Sequence, residues 1–211
     1  MKKQVILVKM LKIKIISVDF QNDFTSKKGI CFKNRKSVNF IKNILVPFLK
    51  NSNIKIAEII SDYRQPRLGD TGDSNHPGTW GYISQIPNDV KINPVWIKCM
   101  NNPIWVRKNI GNTNKKPGFP YQDPKAFTKW LNKNIGRPDD LDFVILIGLT
   151  IDCCVFCTAQ ELCFRGYKVK ILKEAVDTYS GNQKEKEMIL NNPPLTNWAE
   201  TISWNKLKFI Q

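Results

Sequence analysis

The chain has 211 residues, 42% of them hydrophobic, which is enough for a substantial core and for one domain spanning 1–211. Its formal net charge is +15, yet the basic residues are scattered and mostly lysine, so nucleic-acid binding is not expected as the main function. No run is apolar and long enough to cross a bilayer, and six cysteines with no secretory leader read as thiols in a reducing, cytoplasmic setting.

Taken in chain order, the stretch 1–12 is interrupted by Lys2, Lys3 and Lys9 and does not form the apolar core of a leader. A strand is expected over 12–18, and it ends at Asp19. An amphipathic helix follows over 33–50, carrying Val38, Ile41, Ile44, Leu45, Phe48 and Leu49 at helical spacing. A second strand occupies 54–60. The segment 61–100, rich in Gly, Pro, Asp and Asn, reads as loops. A short strand over 103–108 ends at Lys108, and a helix over 123–134 turns Ala126, Phe127, Trp130 and Leu131 to one face.

The most informative segment comes next. An apolar strand begins at Phe143, passes Gly148 and breaks into the turn Thr150-Ile151-Asp152-Cys153-Cys154, after which a helical pattern starts. A further strand over 165–172 is followed by a turn over 174–177. A helix over 183–190 must stop before Pro193-Pro194, and 201–209 is either an edge strand or a short helix. Strands alternating with helices give an α/β chain of three layers, α/β/α, with a mostly parallel central sheet.

In such a sheet the carboxyl ends of neighbouring strands open onto one crevice, so Asp19, Lys108 and Cys154 are expected to converge there. Cys154 is the candidate nucleophile, because a helix start offers unpartnered N–H groups to an oxyanion and a dipole that favours a thiolate. A second reading of the same cysteines is small core residues of a helix. A third is the redox pair spelled by Cys154-Val155-Phe156-Cys157, which leaves Asp19 without a role.

These residues resemble the isochorismatase-like cysteine hydrolases, which include nicotinamidases and carbamoylsarcosine amidases. The resemblance rests on Val18-Asp19-Phe20-Gln21-Asn22-Asp23-Phe24 and on Gly148 through Ala159, and extends over roughly 12–180. The middle motif departs from the family's Ser-Ala-Phe-like turn, since Lys108 is followed by Asn109-Ile110-Gly111. The resemblance implies amide hydrolysis through a thioester, with Asp19 as base, Lys108 holding a thiolate, and the N–H groups of Thr150 and Cys154 receiving the oxyanion. It also implies a cis peptide between Leu149 and Thr150, a small-molecule amide substrate and a homo-oligomer. An isochorismatase-type vinyl-ether hydrolase and a catalytically silent member are the alternatives, and the cysteine favours amides.

Nicotinamidases of this family usually place an Asp-x-His pair after the second strand to hold a divalent metal. Here the sequence is Asp62-Tyr63-Arg64, and His76 is the only histidine, so no metal is expected to be required. Asp62 and His76, helped by Asp70 or Asp73, are the remaining candidate ligands. Arg64 is expected instead to orient a substrate carboxylate. Phe24, Phe119 and Trp80, the last in the family-like turn Gly78-Thr79-Trp80-Gly81, are candidate walls of the pocket.

Overall fold

A computed structural model describes residues 11–208, so the leader reading of 1–12 lies almost wholly outside the described residues, as does Phe209. The strands are β1 (Ile13–Val18), β2 (Ile56–Ser61), β3 (Trp96–Lys98), β4 (Trp105–Val106), β5 (Tyr121–Gln122), β6 (Phe143–Leu149), β7 (Val169–Asp177) and β8 (Glu200–Ile202). The helices are α1 (Asn22–Thr25), α2 (Lys36–Phe40), α3 (Val46–Lys50), α4 (Pro124–Asn134), α5 (Cys154–Phe164), α6 (Gln183–Asn191) and α7 (Trp204–Lys208).

Six strands form one parallel sheet in the order β3-β2-β1-β6-β7-β8, which gives the expected α/β architecture. All seven residues of β6 are buried, and so are all six of β2. Since successive side chains point to opposite faces, burial of every one means that both faces are covered there. The order reverses around β1 and β6, and their carboxyl ends make the crevice.

The expected helix over 33–50 is continuous from Lys36 to Lys50 but widens over Ile41–Leu45 into a π turn, where the Val46 N–H bonds to Ile41 O five residues back. Pro47 explains this: its ring crowds the carbonyl four residues earlier and it has no N–H to give, so the ladder shifts by one residue. Helix α4 starts as its sequence suggests, with Asp123 accepting from the Ala126 N–H at 2.9 Å and Phe127, Trp130 and Leu131 buried.

Three expectations are corrected. Val95-Trp96-Ile97-Lys98 lies inside the stretch read as loops, yet Trp96–Lys98 is the edge strand of the main sheet. The run over 103–108 contributes only Trp105–Val106, which pairs antiparallel with Tyr121–Gln122 in a separate ribbon. The turn expected over 174–177 is strand, because β7 continues to Asp177 past a register shift opposite Leu146 and Gly148. At the C-terminal end the strand and the helix both occur, in succession, as β8 and α7.

Candidate active site

Asp19 follows the last residue of β1 in a left-handed conformation, φ 49°, with its N–H bonded to Ile59 O of β2 at 2.8 Å. The backbone turns there and leaves the carboxylate fully buried at the carboxyl end of the sheet. The Gln21 carboxamide fixes the turn. Its Oε1 accepts from the Ser61 N–H at 2.8 Å, while its Nε2 donates to Ser61 O at 3.1 Å and Tyr82 O at 2.9 Å. The Ser61 hydroxyl donates to Asp19 Oδ1 at 2.5 Å.

The lysine that meets this carboxylate is Lys98. Its Nζ lies 2.8 Å from Asp19 Oδ2 and 3.2 Å from Ser61 Oγ, and it also donates to the Tyr63 hydroxyl. Burial pulls the fully enclosed ammonium down, but the charge of Asp19 and the hydrogen bond to it outweigh this and hold Lys98 above its ordinary value. Lys108 stands elsewhere: it is exposed, on the loop after β4, with its carbonyl accepting from the Gly118 N–H at 3.0 Å. Lys98 leaves little trace in the sequence, because its strand has only three residues, two of them half-buried, amid Pro and Asn.

Cys154 is the first residue of α5. The cis peptide between Leu149 and Thr150 is present, and Thr150 O accepts from the N–H groups of Cys153 and Val155 at 3.1 and 2.9 Å. Gly148 allows the approach to this turn, since a Cβ there would lie 2.1 Å from Val18 O and its φ is +105°. The first N–H groups of a helix have no partner within it, and that of Cys154 is one of them.

The sulfur of Cys154 lies 3.1 Å from the Tyr63 hydroxyl and 3.6 Å from Asn101 Oδ1. A raised thiolate fraction was the expectation, and the site does the opposite. The hydrogen bond with Cys153 and then burial push the Cys154 thiol well above its ordinary value, against the pull of Lys98, whereas the hydrogen bond with Cys154 lowers Cys153. These surroundings favour the protonated form of the buried Cys154. Cys157 is pushed up to about 11, chiefly by burial, the reverse of what a redox Cys-x-x-Cys pair needs.

Cys154 opens onto a cavity of about 410 Å³ that Phe24, Tyr63, Arg67, Asn101, Thr150 and Tyr179 help to line. Of the expected pocket residues, Phe24 and Thr150 are there. Trp80 and Phe119 are not: they are 46% and 76% exposed and lie outside its lining. Their neighbourhood to the motifs in sequence says nothing about the direction in which a loop side chain points.

Arg64 is also absent from the cavity lining. Its Nε and Nη2 grip the two oxygens of buried Asp62 at 2.8 and 2.7 Å, and its remaining donors reach the carbonyls of Asn109, Asn112 and Lys115. The hydrogen bond to Asp62 holds its guanidinium above its ordinary value. Arg64 thus ties the 109–115 loop to the end of β2. Arg64→Ala is expected to cost about 3 kcal/mol in urea unfolding, because it strands a buried carboxylate; an unchanged midpoint would remove this role.

The same contacts decide the fit of a metal. Asp62 Oδ2 also accepts from the Gly111 N–H at 2.9 Å, so both oxygens already face donors and a cation would have to displace a guanidinium. His76 is engaged by Asp73 at 2.8 Å, and no group of three or more His, Cys, Asp or Glu residues suited to a metal occurs among the described residues. These residues do not fit a divalent ion. Among the described residues no helix is long and apolar enough to cross a membrane.

No family model matches the sequence, and no curated protein does. Solved structures match the fold. An isochorismatase-like hydrolase from Alkaliphilus metalliredigens superposes with a TM-score of 0.62 at 18% identity, over 95% of this chain and 98% of that one. A nicotinamidase from Bacillus subtilis gives 0.61 at 17%, over 90% and 99%. An N-carbamoylsarcosine amidase from Thermoplasma acidophilum gives 0.56 at 16%, over 92% and 96%. By its six-stranded parallel sheet and these superpositions, the chain has the fold of the isochorismatase-like hydrolases.

Proposed function

We propose that the protein is a cysteine hydrolase that cleaves the C–N bond of a small amide through a thioester, with Asp19, Lys98 and Cys154 as its catalytic residues. The observation that carries this reading is the meeting of three strand ends: a buried carboxylate and an ammonium 2.8 Å from it are joined, through the Tyr63 hydroxyl, to the cysteine that opens onto the cavity. A cavity of about 410 Å³ accommodates a small molecule.

In this mechanism the Cys154 proton passes to Asp19 as the sulfur attacks the carbonyl carbon. The oxyanion forms against the Cys154 and Thr150 N–H groups. Asp19 then gives the proton to the leaving nitrogen as the C–N bond breaks. Water attacks the thioester as Asp19 takes its proton, and Asp19 returns that proton to the Cys154 sulfur as the C–S bond breaks, so that the carboxylic acid leaves and the thiol is regenerated. Lys98 holds the Asp19 carboxylate in place at 2.8 Å and brings positive charge towards the sulfur through the Tyr63 hydroxyl.

Ammonia release across a panel of small amides, carbamoyl compounds and ureides tests the reading, and it is expected to survive exhaustive chelation. Turnover lost on chelation and restored by zinc or manganese would favour metal-assisted nicotinamide hydrolysis. Hydrolysis of a vinyl ether, with no amide cleaved, would favour the isochorismatase type.

A further inference from the structure

Resting on the assignment of Cys154 as nucleophile, we propose that Tyr63 is a fourth catalytic residue, whose hydroxyl carries the influence of Lys98 to the Cys154 sulfur and stabilises its thiolate. Tyr63 follows β2, is 4% exposed, and faces the cavity at the residue between Asp62 and Arg64. The oxygen is shared by three groups. Lys98 donates to it, so the single hydroxyl proton must point to an acceptor. The nearest is Cys154 Sγ at 3.1 Å, with Asp19 Oδ2 at 3.3 Å and Met100 O and Asn101 Oδ1 at 3.5 Å.

A chain of donors therefore runs from the Lys98 ammonium through the Tyr63 hydroxyl to sulfur. A donor polarised by a cation is stronger than a neutral one, and it strengthens further when the acceptor becomes an anion. Burial, Asp19 and Cys154 hold the phenol well above its ordinary range, so Tyr63 keeps its proton and acts as donor rather than base. The other face of the ring is packed by the Arg67 guanidinium, 3.9 Å from the centroid, which holds the ring in place. The groups facing Cys154 are Tyr63, Lys98, Asp19, Asn101 and Cys153, and Tyr63 alone combines a hydroxyl donor with a contact to both the ammonium and the sulfur.

The test is alkylation of Cys154 by iodoacetamide, read by peptide mass as a function of pH, which needs no substrate. Tyr63→Phe keeps the ring under Arg67 and removes only the hydroxyl. Its Cys154 is expected to react about tenfold more slowly at pH 7, with the thiolate inflection moved up by about one pH unit. Site-specific replacement of Tyr63 by 3-fluorotyrosine, a stronger donor of nearly the same size, is expected to move the inflection down. An unchanged or lowered inflection in folded Tyr63→Phe, or an unchanged one in the fluorinated protein, overturns the proposal. The two readings fail separately: amide turnover with an unshifted Tyr63→Phe profile sinks this inference alone. A shifted profile without any amide turnover supports it and sinks the amidase reading.

Discussion

Cys154→Ala is expected to abolish amide turnover while the protein stays folded. In the proposed mechanism the change deletes the atom that forms the thioester, and Cys153 and Cys157 stand at other positions, one before the helix and one a turn further along it. The structural cost is small. The sulfur makes polar contacts with Tyr63, Asn101 and Cys153, and losing them to a methyl group belongs with the ordinary core changes of about 1 kcal/mol. Cys153→Ala is expected to retain most activity, and by removing the hydrogen bond that holds the Cys154 proton it should make Cys154 easier to ionise. Turnover measured on both variants beside their urea midpoints checks this. A dead Cys153→Ala with an active Cys154→Ala would move the nucleophile by one residue.

What could be read from the sequence was set by the length of each strand and by how sharply it ended. Strands β1 and β6 are runs of six and seven largely apolar residues, and each stops at a residue whose chemistry stands out against them, so Asp19 and the turn to Cys154 were legible. Strand β3 follows the same rule with Lys98 at its end. It is an edge strand of three residues, and so short a run has no periodicity to separate it from a loop. The longer apolar run before Lys108 was the more persuasive pattern, yet it belongs to the ribbon formed with β5 rather than to the main sheet.

Side-chain direction was the second limit. Arg64 looked like a free cation awaiting a substrate, but its partner is Asp62, two residues earlier, and a pair formed across a strand end leaves no trace in spacing. Tyr63 lies between them and turns the other way, into the cavity, as neighbours along an extended chain do. The sequence Asp62-Tyr63-Arg64 draws the eye to its missing imidazole, whereas the residue that reaches the Cys154 sulfur is the one in the middle.

Lys98→Met is expected to lower turnover by about 10²–10⁴-fold, the range that positioned proton-transfer groups supply, whereas Lys108→Met is expected to leave it nearly unchanged. Lys98 is wholly buried against Asp19, so its loss also leaves a carboxylate enclosed without its countercharge, at a cost of about 3–5 kcal/mol. Stability and activity must therefore be separated. Asp19→Asn combined with Lys98→Met removes both charges and is expected to recover a good part of the lost stability, since a neutral amide beside the Ser61 hydroxyl carries no such penalty. It should recover none of the activity, because neither a base nor an ammonium remains. Urea unfolding and amide turnover on the four proteins of this cycle give the answer. Turnover that follows stability through the cycle would make Lys98 a structural counterion, and turnover lost in Lys108→Met but kept in Lys98→Met would return the catalytic lysine to the loop after β4.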